Sequence, residues 1–412
     1  MGKRVSSNMS NKHIVIFQSG EPLPCDSLMK RKMRAWNLID ELLLNNCKVT
    51  LISSRFDHST KTHRSENFYD NYHKNLEIYL IDSPGYYKNI SIKRLYDHII
   101  LSWNLFLFLK KFKQTPDSVF IGFPPIEVSF VMFRWAKKIK SSIFLDVKDL
   151  WPEIFTFSET KYKAAILKIC FYPYFILYKY MVKNADYLVS ISQEFIDYLI
   201  KDTNRKSKKN IVAYLTSKPA VQIIEHDKSN GDCLTIGFAG NFMNAFDFQP
   251  IQRALKNIND KLKIKFILAG DGGLRNEVEK CFLEHNNVHF LGWLDGEQLD
   301  SFFEEIDLFV IPLKQRRDFS LSFPNKAMDA LSRSKPILCS CSGSLANFLE
   351  MNSCGFYFDP NSNDALTNLL ERLNNNREEI ETMVKNIDKV YDKNFNHKEN
   401  YQNLASKIMD SS

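Results

Sequence analysis

The sequence predicts an α/β protein made of two doubly wound, Rossmann-like halves, each a parallel sheet covered by helices. Three observations predict it. Short apolar runs alternate with amphipathic helical stretches, the alternation breaks once near the middle and restarts, and several runs after the restart end on glycine. The 412 residues, 44% of them hydrophobic, suffice for two cores and exclude a globally disordered chain.

In the first half the strands are HIVIF from His13, KVTLIS, SVFIGF and SIFLDV, with helices over Met33 to Leu44 and near Val128 to Ile139. ADYLVSIS, Ala185 to Ser192, reads as the last strand of that set. KDTNRKSKKN, Lys201 to Asn210, is polar and basic and reads as a solvated loop near a domain boundary. The rhythm restarts with LTIGFAG at Leu234, a helix from Gln249 to Asn257, IKFILAG at Ile264, a helix from Leu274 to Glu284 and VHFLGW at Val288. A helix near Gln298 to Phe303, DLFVIPL at Asp307, PILCS at Pro336 and a helix from Ala365 to Leu373 complete it. The expected division is 1–215, 216–385, and a closing helix in 386–412 that packs back across both domains. Two such halves are expected to face a central cleft, with ligands at the carboxyl ends of the strands.

Charge and cysteine content narrow the function. A formal charge of +7, from 55 basic and 48 acidic residues, is too small an excess to imply nucleic acid and suits anionic small ligands or an anionic membrane surface. The eight cysteines lack zinc spacing and read as reduced thiols. No two aspartates are spaced D-x-D and no His/Asp/Glu cluster suggests a metal, so none is expected. The apolar run His13 to Phe17 is too short for a signal-peptide core, so export is not expected. Ala164 to Val182, interrupted by Lys168, Pro173 and Lys179, is a poor spanning helix; it reads either as an interfacial helix or as a kinked helix on the core. With Ser102 to Lys113 and Arg134 to Lys140 it gives the first half its apolar and basic character, the one sequence hint of a membrane.

The second half gathers candidate residues on one rim. FAGN ends a strand at Gly240 and Asn241, and AGDGG places Gly270, Asp271 and Gly272 before a helix. Glycine there lets a ligand approach the backbone, and a following helix N-terminus favours an anion. In SLSFPNKAMDALSRSKPIL, Asn325 reads as an N-cap and Lys326 as a cation in a first helical turn, which opposes the macrodipole unless an anion binds. Asp329, three residues on, shares that helix face; it either meets sugar hydroxyls or pairs with Lys326. In the first half Asp146 and Asp149 follow a strand and either point toward a ligand or cap the next helix, and Gly20 and Glu21 follow the first strand.

The order of these motifs resembles the family 4 glycosyltransferases of the GT-B fold, on FAGN at 238, IKFILAGDGGLRNEV from 264, VHFLGWLDGEQL from 288, IDLFVIPL from 306, FPNKAMDALSRSKPIL from 323 and GFYFDP from 355. Within it LDVKDLWPE, Leu145 to Glu153, is similar to a segment of the bacterial surface-polysaccharide branch. The resemblance is strong over roughly 232–370 and thin before it. It implies retaining transfer, without metal or cofactor, from a nucleoside diphosphate sugar, by family habit UDP-linked, held by the C-terminal domain. The implied acceptor is a lipid-linked or oligosaccharide chain on the N-terminal domain, through Gly20, Glu21, Asp146 and Asp149. It implies Lys326 for the diphosphate, Asp329 in place of the second motif glutamate at the ribose, the backbone around Gly292 to Leu294 for the base, and Gly240, Asn241, Gly270, Asp271, Gly272, Ser322 and Asn325 as further donor contacts. The first motif glutamate falls on Leu321, with Asp318, Ser320 or Ser322 as substitutes. The enzyme would act in the cytoplasm, peripheral on the inner face of the membrane. The rival readings are a nucleotide-sugar epimerase of the same fold and an inactive glycosyltransferase-like partner.

Overall fold

The structure, a computed structural model, describes residues 12–26, 32–65, 72–89, 91–156, 160–216, 233–258 and 262–411. The chain divides into two compact units, residues 1–213 with 398–412, and residues 214–397.

The first unit is built on strands β1 (His13–Phe17), β2 (Lys48–Ser54), a short antiparallel pair β3 (Phe56–Asp57) and β4 (Thr62–His63), then β5 (Leu76–Ile81), β6 (Ser118–Phe123), β7 (Ser142–Val147), β8 (Tyr187–Ser190) and β9 (Asn210–Val212). Seven of them form one parallel sheet in the order β5-β2-β1-β6-β7-β8-β9. All of β6 is buried, as expected of a central strand with helices on both faces. On one face the helix Arg34–Leu44 packs Leu38, Ile39 and Leu42 against Ile14, Ile16 and Leu51, together with Leu404 and Ile408 of the last helix. Each such side chain contributes about 1.5–3 kcal/mol when fully buried.

The second unit carries β10 (Leu234–Ala239), β11 (Ile264–Ala269), β12 (Val288–Gly292), β13 (Leu308–Ile311), β14 (Ile337–Cys339) and β15 (Gly355–Tyr357), all parallel, in the order β12-β11-β10-β13-β14-β15. Two apolar clusters cover its faces, one around Phe238, Phe248 and Phe266, the other around Ile311, Met328 and Leu349.

Besides the short pair β3 and β4, three strands of the two parallel sheets escape the sequence pattern: β5, β9 and β15. Each lies at or next to a sheet edge, and β9 and β15 are only three residues long, too few to show a period. The segment read as a loop up to Asn210 therefore leads into one more strand, and β8 is not the last of its sheet. The expected closing helix is two helices, Arg377–Phe395 in the second unit and His397–Met409, whose residues from Lys398 onward count with the first.

Candidate functional site

In the second unit the carboxyl ends of β10, β11 and β12 lie side by side and are tied by backbone hydrogen bonds. Gly240 N–H donates to Ala269 O at 2.8 Å and Gly270 N–H to Gly292 O at 2.5 Å. One step further, Phe242 N–H donates to Asp271 O at 2.8 Å, and Gly272 N–H to Asp271 Oδ1 at 2.7 Å. The edge is built on missing side chains. Gly270 has φ +138°, and a Cβ there would overlap Gly240 O. A Cβ on Gly272 would overlap Asn241 Oδ1, so the Asn241 amide rests on that glycine.

Lys326 reaches this edge from the helix Asn325–Leu331. Its Nζ donates to Ala239 O at 2.7 Å and lies 5.1 Å and 5.5 Å from the ring centroids of Phe238 and Phe246. It fills the space a Cβ on Gly240 would take. FAGN and Lys326 thus form one feature: the glycine admits the ammonium, and a carbonyl with two ring faces holds it. Asp329 is half-buried on the same helix, with its carbonyl accepting from Arg333 Nη1 at 3.1 Å.

The cap differs from expectation. Pro324 is the N-cap, without a side-chain hydrogen bond, and Asn325 is the first helical residue, because proline's fixed φ suits an extended cap. The Asn325 Oδ1 is buried and has no hydrogen-bond partner. Gly292 O is committed to Gly270, Leu294 is half-buried against the core, and Trp293 between them is 70% exposed. That exposed ring was not anticipated.

Around Leu321 the proposed substitutes are already engaged. Asp318 accepts from Arg316 at 3.0 and 2.7 Å, the Ser320 hydroxyl donates to Arg317 O at 3.0 Å, and the Ser322 hydroxyl donates to Phe319 O at 3.2 Å.

The first unit treats its candidates differently. Gly20 and Asp149 are exposed. Asp146 is fully buried rather than open to a ligand: it pairs with Arg34, also fully buried, and lies 3.3 Å from Lys148 Nζ. Glu21 is buried too; one carboxylate oxygen accepts from Lys148 Nζ, and the other accepts from Ala35 N–H at 2.9 Å in the first turn of helix Arg34–Leu44. It therefore caps that helix. Burial would lower the Lys148 ammonium's pKa, but Glu21 and Asp146 outweigh it and hold the pKa above its ordinary value. Arg34 and Lys148 were missed. The available signal was Asp146 itself, a carboxylate inside an apolar central strand, which demands a cationic partner.

A second polar group lies in the loops and helices following β2, β5 and β6. Burial, then Arg94 and His58, lowers the His98 pKa to about 3, and burial, then Lys61 and Arg94, lowers that of His58 to about 4. Glu127 Oε1 accepts from the Tyr174 hydroxyl at 2.8 Å, and burial raises its pKa.

Comparison with known proteins bears on the family and the fold. Residues 233–376 match the family model described as glycosyl transferases group 1. Uncharacterized glycosyltransferase MJ1607 of Methanocaldococcus jannaschii is 24% identical over 160 residues, a match that spans 38% of this chain and 40% of that relative. Sucrose-phosphate synthase from Thermosynechococcus elongatus superposes with a TM-score of 0.72 at 14% identity, covering 97% of this chain and 100% of that one. Alr3699/HepE of Anabaena, in complex with UDP and glucose, gives 0.64 at 14% identity, covering 97% and 100%. WaaG, a glycosyltransferase involved in lipopolysaccharide biosynthesis, gives 0.65 at 12%, covering 96% and 99%. Residues 233–376 thus match the group 1 glycosyltransferase model, and the two α/β units share the GT-B fold of these solved structures.

Proposed function

We propose that the protein is a retaining, metal-independent glycosyltransferase that moves a hexose from a nucleoside diphosphate sugar, UDP-linked, to a lipid-linked or oligosaccharide acceptor in surface polysaccharide assembly. The observation that carries the reading is the seat of Lys326 on the glycine edge of β10 and β11. Negative charge develops on a departing diphosphate, and an ammonium already fixed there stabilises that charge without reorganising. Asp329 on the same helix serves the ribose, and the Asn325 Oδ1 is an acceptor awaiting a donor. HepE, similar in fold, was crystallised with UDP and with UDP-glucose, which supports the choice of base.

The same reading puts the protein at the cytoplasmic face of the membrane, and the surface of the first unit supports a peripheral contact with lipid. Helix Ile92–Lys111 exposes Tyr96, Ile99 and Trp103, and helix Lys161–Cys170, with no buried residue, exposes Tyr162 and Ile169 among lysines. Among the described residues no single helix is long and apolar enough to cross a membrane, and the pair Lys161–Cys170 and Tyr172–Asn184 is bent by 65°. An apolar face fringed by lysines suits an anionic interface.

Calorimetry with UDP and turnover of UDP-glucose test the donor site. Lys326→Ala should cut kcat at least a hundredfold, about 2.7 kcal/mol of lost charge stabilisation, while the fold stays intact. Turnover at the wild-type rate in that variant removes the reading. UDP binding without any consumption of sugar nucleotide would favour the second reading, an inactive partner, which Leu321 at the glutamate position supports.

A further inference from the structure

Gln18 follows β1 directly, at the point where the first sheet changes direction: from β1 the chain winds outward through β2 to β5, then crosses to β6 on the other side. Ligands of doubly wound sheets bind outside the carboxyl ends of the strands at such a point. Gln18 is only 5% exposed, and its Oε1 is buried without a hydrogen-bond partner. The β1–β6 register aligns Phe17 with Ile121, which brings Gln18 against Gly122. A Cβ on Gly122 would overlap Gln18 Oε1 and come within 2.9 Å of its Cδ, so the glycine makes the space in which the carboxamide lies. Glycine inside a central strand weakens it, and an unsatisfied buried carbonyl costs free energy, so the chain carries two local penalties at one place. Two more buried atoms without a hydrogen-bond partner, Arg94 Nε and Glu127 Oε2, lie in the helices on either side of β6 in sequence.

We infer that the Gln18 carboxamide is a recognition group for a hydroxyl of a glycosyl ligand. A neutral amide oxygen takes a hydrogen bond from an O–H and, unlike a carboxylate, does not discriminate by charge. A site that hydrogen-bonds a substrate hydroxyl rejects analogues lacking it, so Gln18 is a specificity-determining residue. This inference rests on the glycosyltransferase reading for its ligand class, and the hydroxyl belongs either to the donor's sugar or to the acceptor's.

The test compares the full chain with Gln18→Met, nearly isosteric and lacking the polar atoms, by calorimetry against UDP, UDP-glucose and octyl glycosides of gluco, galacto and N-acetylglucosamine type. UDP affinity should stay within twofold and Tm should equal or exceed that of the wild type, because an unsatisfied polar group has been removed. Affinity for UDP-glucose falls at least tenfold if the hydroxyl is the donor's, and affinity for the best octyl glycoside falls likewise if it is the acceptor's. The inference is overturned if the variant binds every ligand as the wild type does, if the wild type binds no glycosyl ligand, or if Tm drops and all ligands weaken alike. Gln18-dependent glycoside binding by a chain that neither binds UDP nor consumes UDP-glucose would remove the transferase reading and leave this subsite standing.

Discussion

The carboxyl edges of the two sheets share a topology and differ in chemistry. In the second unit the edge is made of glycines, backbone hydrogen bonds between strand ends and one lysine lying on a glycine. In the first it is closed by Arg34, Asp146, Lys148 and Glu21, four charges that neutralise one another in the interior. The second unit's edge seats its lysine on a glycine, a carbonyl and two ring faces; the first unit's network fixes the loop after β1 and the start of the next helix. The same strand-end position thus carries, in one unit, a lysine seated on a carbonyl and two ring faces and, in the other, a buried network of four charges.

The sharpest way to break this comparison is to remove one charge from each edge. Arg34→Met leaves Asp146 buried beside Lys148 alone and should cost about 3–5 kcal/mol, because stripping one partner from a buried pair strands the other. Lys326→Ala removes one hydrogen bond to a carbonyl and two ring contacts and should cost less, about 1–2 kcal/mol. Denaturant titration of both variants decides it, and comparable losses would show that Lys326 is also a structural clamp. Gly270→Ala sharpens the comparison next. It forces a side chain into a φ of +138° and onto Gly240 O, so roughly 1–3 kcal/mol of strain is expected, with UDP affinity falling in the same variant. Unchanged UDP binding in a folded Gly270→Ala protein would mean that the edge does not meet the nucleotide.

The second edge was the more legible because its signals are local. Strand-terminal glycines and a lysine at a helix start leave marks within a few residues, and FAGN, AGDGG and PNK all fall where the strand order brings them together. Asn325 was misread as a cap because an N-cap asparagine and a first-turn asparagine after proline look alike in sequence. The first edge depends on pairing across the chain: Arg34 and Asp146 stand 112 residues apart, and nothing near either names the other. Asp146, read as a ligand contact or a helix cap, and Glu21, offered as an acceptor contact, are both committed inside. Gln18 left no sequence signal at all, since its meaning comes from a glycine on a neighbouring strand.

The smallest effect concerns pH, and it also separates the two units. His98 is buried among Arg94, His58, Tyr86 and Trp151, with Glu127 Oε2 3.8 Å from its Nδ1. Its folded pKa near 3 lies below the ordinary 6.5, so between those values the unfolded chain binds the proton that the native state refuses. Stability contributed by keeping His98 neutral is therefore lost as pH falls through 6.5 and regained as it rises, on the order of 2 kcal/mol at pH 5. Glu127 works in the opposite sense just above pH 4.5, because burial raises its carboxyl. Lys61, Arg94, Asp57 and Asp97 are the further charged groups on the surrounding segments. His98→Phe keeps a ring against Tyr86 and Trp151 and removes the titration. Its apparent Tm should fall less between pH 8 and pH 5 than that of the wild type, and an equal fall would assign the acid sensitivity to some other group.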